Sequence, residues 1–187
     1  MRQLPSEYHL AFRLDLVRNK RQLRQVVCIN LLILAAALIP ALFARPLGAT
    51  FGAQPVLKLA ALSLGMMAYI PLHEAVHALF MKLFGCRKVR FGFKLMYAYA
   101  GCDEYFYKWP YLIIALAPVL LWGAVLWALA GLFSQWFWVI YGVQLLNLSG
   151  AAGDVYVTWR LLPMPASVLI RDTGTAMLVY TMNTEVF

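Results

Sequence analysis

The segment LHEAVHALF, residues 72–80, sets His73, Glu74 and His77 in an otherwise apolar run. On a helix, residues four apart share a face, so the two imidazoles can reach one cation. At about 100° per residue, Glu74 borders that cation without having to bind it. In zinc hydrolases a carboxylate so placed takes a proton from water that the metal makes acidic. The chemistry these residues suit is metal-assisted hydrolysis. An unpaired ionisable group deep in a bilayer costs a few kcal/mol or more, which gives such a cluster weight in greasy surroundings.

A catalytic zinc site takes three protein ligands and keeps one position open. The chain has eight acidic residues, few enough to test one by one. Glu7, Asp15 and Glu185 fall near the ends and read as solvated. Asp103 and Glu104 belong to a central loop, and Asp172 to a tail. Apart from Glu74, Asp154 alone falls inside a predicted span. It lies six residues before Arg160, about 9 Å inside the boundary on a helix. His77 lies five residues before Lys82 and ten before Arg87, about 8–15 Å inside the same boundary. The two groups therefore stand at similar depth. In NLSGAAGD, Asn147, Gly150 and Asp154 share a face, and the small residues 149–153 allow another helix to approach. Asn147 can position a substrate carbonyl or hold the site through a hydrogen bond. His9, alone in a basic arm, reads as solvated.

The elements that must carry these groups are membrane-spanning. Of the 187 residues 63% are hydrophobic, more than a soluble core of this size can hide. The expected fold is an all-α integral membrane protein with about four transmembrane helices, at 26–44, 55–84, 111–133 and 136–158. Residues 1–25 form a basic cytoplasmic or interfacial arm, 85–110 a cytoplasmic loop and 159–187 a cytoplasmic tail. Pro71 is a candidate kink just before His73. In the central loop, partial alternation around KVRFGFKLMYAYAG suggests a short β-hairpin. It could hold an extended substrate by strand addition. A short connection is expected from Arg45-Pro46 to Gln54.

Fourteen of the sixteen Lys and Arg residues fall on one side of this layout, and only Arg45 and Lys58 on the other. The bias puts both termini and the central loop in the cytoplasm. The net charge of +8 then points to anionic headgroups of a bacterial cell membrane and not to nucleic acid. Cys28, Cys86 and Cys102 are odd in number and form no CxxC pair, so no disulfide framework is expected and Cys86 and Cys102 read as reduced thiols.

LHEAVHALFMKLFG, IIALAPV, NLSGAAGDVYV and RDTGTAMLVY together resemble the small bacterial family described as putative zincin peptidases, over about residues 70–180. More distantly the arrangement is similar to the site-2 protease class of intramembrane metalloproteases. The resemblance implies one zinc ion held by His73, His77 and Asp154, with Glu74 as general base. The site-2 proteases place a Pro-rich Asn-Pro…Leu-Asp-Gly segment around their aspartate. Here that stretch has no proline, and Val155 follows Asp154. The expected function is a zinc metalloprotease cutting a membrane-associated peptide or protein substrate within or beside the bilayer. The competing reading is a non-catalytic adaptor or assembly factor whose polar cluster is structural or binds a metal structurally. A metal transporter would need polar residues across several spans, and the outer halves of these helices show almost none.

Overall fold

Helix α1 (Lys20–Ala44) starts where Asn19 can cap it: Asn19 Oδ1 accepts the backbone N–H groups of Arg21 and Gln22 at 3.1 and 3.2 Å. Helix α2 (Pro55–Leu83) has proline in its first turn, after Gln54 in a left-handed conformation. The computed structural model describes residues 3–15, 19–44, 54–94, 97–174 and 176–182. The expected connection at 45–53 lies outside them. A hairpin follows α2, made of β2 (Val89–Lys94) and β3 (Tyr97–Cys102). Then come the short β4 (Phe106–Tyr107) and α3 (Lys108–Leu132). A 3-10 turn at Ser134–Trp136 leads to α4 (Phe137–Gly150) and α5 (Ala152–Leu161). The chain continues through β5 (Leu169–Asp172) and β6 (Met177–Thr181).

Helices α1, α2 and α3 are each long and apolar enough to cross a membrane. Leu32, Phe43, Val56, Met67, Leu120 and Leu132 stand exposed along them, as a lipid-facing surface requires. The expected fourth span exists as two pieces, α4 and α5, broken at Ala151. The break falls in the run Ser149-Gly150-Ala151-Ala152-Gly153. The two glycines weaken a helix, and the Ser149 hydroxyl bonds back to the Leu146 carbonyl. Ala151 and Ala152 are buried, but Gly150 and Gly153 face open space. The closest helix approach is elsewhere. A Cβ on Gly142 would lie 2.5 Å from Leu62 Cδ1, and one on Gly65 would lie 3.0 Å from Val143 Cγ2. These glycines let α2 and α4 pack tightly.

The all-α expectation is corrected. A four-stranded antiparallel sheet runs in the order β1-β6-β5-β4, where β1 is His9–Leu14, and the β2–β3 hairpin forms a second sheet. The basic arm therefore contains a strand, and the tail contains two more. β1 pairs with β6 from His9 with Thr181 to Leu14 with Met177. Asp15, expected in solvent, is buried and accepts from Arg13 at 2.8 Å. Local alternation in these short strands is weak beside the long apolar helices, and strand pairing over most of the chain leaves no local mark. The sheet joins segments from before α1, from between α2 and α3, and from after α5. All three therefore lie on one side of the helices. The main core is here: Leu14, Phe106, Leu161, Val168, Ile170 and Val179 pack with the adjoining ends of α2 and α3.

The reduced-thiol expectation is also overturned for two cysteines. Cys86 and Cys102 form a disulfide, with Cα atoms 6.3 Å apart. Cys86 follows α2 directly, while Cys102 pairs with Val89 at the base of the hairpin. The fold thus brings together two cysteines that no spacing rule links. Nearby, Asp103 accepts from Arg90 at 2.6 Å and Arg171 at 2.8 Å, tying the hairpin to β5. The Arg171 hydrogen bond, helped by Arg90, holds its carboxyl below the usual aspartate value.

Lys108 fixes the other end of the site-bearing helix. It is buried, and its Nζ donates to the carbonyls of Leu162 at 2.7 Å and Met164 at 2.6 Å. A cation there satisfies carbonyls left open at the end of α5 and complements its dipole. Lys108→Met should leave these buried acceptors unpaired and cost about 1–3 kcal/mol. Thermal unfolding in detergent checks this.

Candidate metal centre

His73 and His77 occupy one face of α2, with ring centroids 4.9 Å apart. Asp154 sits in the first turn of α5, just past the break at Ala151. Its Oδ2 lies 3.5 Å from His73 Nε2 and 3.7 Å from His77 Nε2. Those separations exceed a hydrogen bond of about 2.7–3.2 Å. A tetrahedral cation with ligand bonds of about 2.0–2.1 Å holds its donor atoms roughly 3.3 Å apart. The spacing thus suits a cation among the three atoms better than direct bonds between them. One ligand atom from each residue lies within 4.8 Å of the others, so His73, His77 and Asp154 could hold a metal ion together.

The far side of each imidazole supports the same conclusion. His77 Nδ1 is 2.9 Å from the backbone carbonyl of Ile114 on α3. A carbonyl only accepts, so this nitrogen carries a proton, and in the neutral ring Nε2 then keeps its lone pair. His73 Nδ1 is 2.7 Å from Tyr69 Oη, and that hydroxyl donates its proton to Asn147 Oδ1 at 2.6 Å. The hydroxyl has one proton, so it must accept from His73, and His73 Nδ1 is protonated as well. Asn147 is oriented in turn: its Nδ2 donates to the Val119 carbonyl at 3.2 Å and to Gln144 Oε1 at 3.3 Å. Each neutral ring therefore presents its Nε2 lone pair toward Asp154, the state a metal requires.

Glu74 stands outside the three-donor cluster. Its Oε2 accepts the backbone N–H of Ala100 at 2.7 Å. Because this N–H points to α2, it points away from β2. The outer edge of β3 therefore runs past Glu74, and the alternation of a ladder puts the Ala98 N–H on the same edge.

Of the residues singled out from the sequence, His73, His77 and Asp154 converge. Glu74 borders them. Asn147 is fully buried behind His73, reaching it through Tyr69. His9 lies away from them, on β1. Tyr69 was missed, although it precedes His73 by four residues and so shares its face. The Ile114 carbonyl and Ala100 N–H are backbone groups, and side-chain types do not announce them. Tyr111 Oη donates to Asp172 Oδ2 at 2.5 Å, and the Gly174 N–H meets Oδ1 at 2.8 Å. Burial nevertheless raises the Asp172 carboxyl above its usual value, so the tail aspartate is not a solvated one. A second group, Cys86, Cys102 and Glu104, also clusters, but its two sulfurs are bonded to each other.

A family model described as putative zincin peptidase matches residues 66–169, more than half of the chain and all of the groups that converge here. No curated protein and no solved structure matches the chain.

Tyr69→Phe removes the link between Asn147 and His73 Nδ1. Zinc affinity, read by competition with a chelator, should fall about 10-fold or more.

Proposed function

The chain belongs to the putative zincin peptidase family, and from that membership and the geometry above we propose that it is a zinc-dependent protease working in a membrane. The observation that carries the reading is the pair of Nε2 atoms 3.5 and 3.7 Å from one Asp154 oxygen, with both Nδ1 protons held elsewhere. In this reading His73, His77 and Asp154 hold one ion. When bound, zinc supplies Lewis acidity toward water and toward a peptide carbonyl.

The remaining work belongs to the chain. Glu74 takes the proton of the attacking water and passes it to the leaving amine. The Ala100 N–H holds Oε2 of this carboxylate, so Oε1 is the oxygen that receives the proton. Asn147 and Tyr69 keep His73 in the required tautomer, which assigns Asn147 to the site's support in preference to substrate contact. An extended substrate segment adds to the outer edge of β3, where backbone groups face Glu74. A helical substrate has its backbone bonded internally and must unwind before it can pair. The substrate is thus a membrane-associated peptide or protein, cut in or beside the bilayer. The excess of basic residues on the sheet side supports cytoplasmic termini and hairpin, against anionic headgroups, while the Cys86–Cys102 disulfide on that side argues for an oxidising compartment.

Two experiments test this. Glu74→Gln keeps an acceptor for the Ala100 N–H but removes the base. It should bind zinc as the wild type does and lose about 10²–10⁴-fold in peptide-cleavage rate. A variant as active as the wild type sinks the enzyme reading in favour of a structural metal or polar cluster. Ala98→Pro removes one N–H from the outer edge of β3. It should raise KM with zinc content unchanged, and an unaltered KM overturns strand addition.

A further inference from the structure

We propose that Pro118 is a positioning residue of the metal centre: having no N–H, it leaves the Ile114 carbonyl without its helical partner, and His77 Nδ1 takes that carbonyl. The inference rests on the reading of His77 as a metal ligand.

In a regular helix the carbonyl of residue 114 accepts the N–H of residue 118. Pro118 lies inside α3, fully buried, and has no N–H to give. Its ring also crowds the carbonyl four residues back and pushes it off the helix axis. Both effects turn the Ile114 oxygen outward, and α2 is the neighbour it meets. His77 Nδ1 lies 2.9 Å from it. The carbonyl can only accept, so the contact selects the tautomer in which Nε2 faces Asp154.

The two histidines are thus held by different means. His73 is held by side chains, Tyr69 and then Asn147. His77 is held by a backbone oxygen, which no side chain can replace and which a helix would ordinarily consume. A proline at 118 makes that oxygen available. With any other residue there, an N–H returns and competes for the same carbonyl. The oxygen has two lone pairs, so competition weakens and tilts the His77 bond without abolishing it. A partial loss of metal affinity is therefore expected.

The test compares three full-length chains in detergent: wild type, Pro118→Ala, and a chain carrying an α-hydroxy acid at 118. The hydroxy acid forms an ester and, like proline, offers no N–H. Zinc affinity is measured by chelator competition. The His77 tautomer is read from nitrogen chemical shifts in the zinc-free protein at a pH alkaline enough to keep the ring neutral, and stability from its thermal midpoint. Pro118→Ala should bind zinc about 10-fold more weakly and populate both His77 tautomers. Its thermal midpoint should be equal or higher, since the helix becomes regular. The ester chain should return affinity and tautomer to wild-type values.

Unchanged affinity and tautomer in Pro118→Ala overturn the proposal. So does a loss that the ester chain shares, because the pyrrolidine ring would then be the cause. If Pro118→Ala does not fold, the ester chain still decides, since wild-type affinity there supports the proposal and weakened affinity overturns it. A wild-type chain that binds no zinc defeats the metal reading instead, while the tautomer in the zinc-free protein continues to report on Pro118.

Discussion

Two hydrogen bonds on the rear of two imidazoles govern this structure. An imidazole with a free Nδ1 can place its proton on either nitrogen and turn about its side-chain bonds. Tied to Tyr69 and to the Ile114 carbonyl, His73 and His77 have one tautomer and one orientation each. Two neighbouring lone pairs aimed at a carboxylate are then a fixed property of the fold. The site draws on α2 for the imidazoles, α3 for one support, α4 for the other and α5 for the aspartate, so none of these four can shift without loosening it.

The carboxylate depends on an irregularity. Asp154 reaches the histidines from the start of a new helix, not from the middle of a continuous one. Gly150 and Gly153 are poor helix formers, and the regular helix is interrupted between them at Ala151. The far end of α5 is held by the buried ammonium of Lys108. The same Lys108 begins α3, which supplies the carbonyl behind His77. One side chain therefore sets α5 and α3 against each other, and with them the aspartate against the imidazole.

How much of this was legible depends on range. His73, Glu74 and His77 could be read because a helix repeats locally. Asp154 followed from the scarcity of acids and from its depth relative to Arg160. The bias of basic residues anticipated that the arm, the central loop and the tail share a side, and the hairpin at 89–102 showed in its alternation. The four-stranded sheet did not show. Its strands are two to six residues long and pair partners as distant as His9 and Thr181. The disulfide escaped because three cysteines without a motif carry no pairing information. Tyr69 was readable from its spacing to His73, but it looks like any aromatic in an apolar helix.

The sheet order bears on biosynthesis. β1 is made before every described helix and its neighbour β6 after them, while β4 waits for β5. Every described helix must already be made before either pairing can form. Lys108, likewise, cannot secure α5 until Leu162 and Met164 have been translated. A nascent or truncated chain therefore carries its histidines without a settled carboxylate. The cluster of His73, His77 and Asp154 is settled only after the segment that follows α5 has been made.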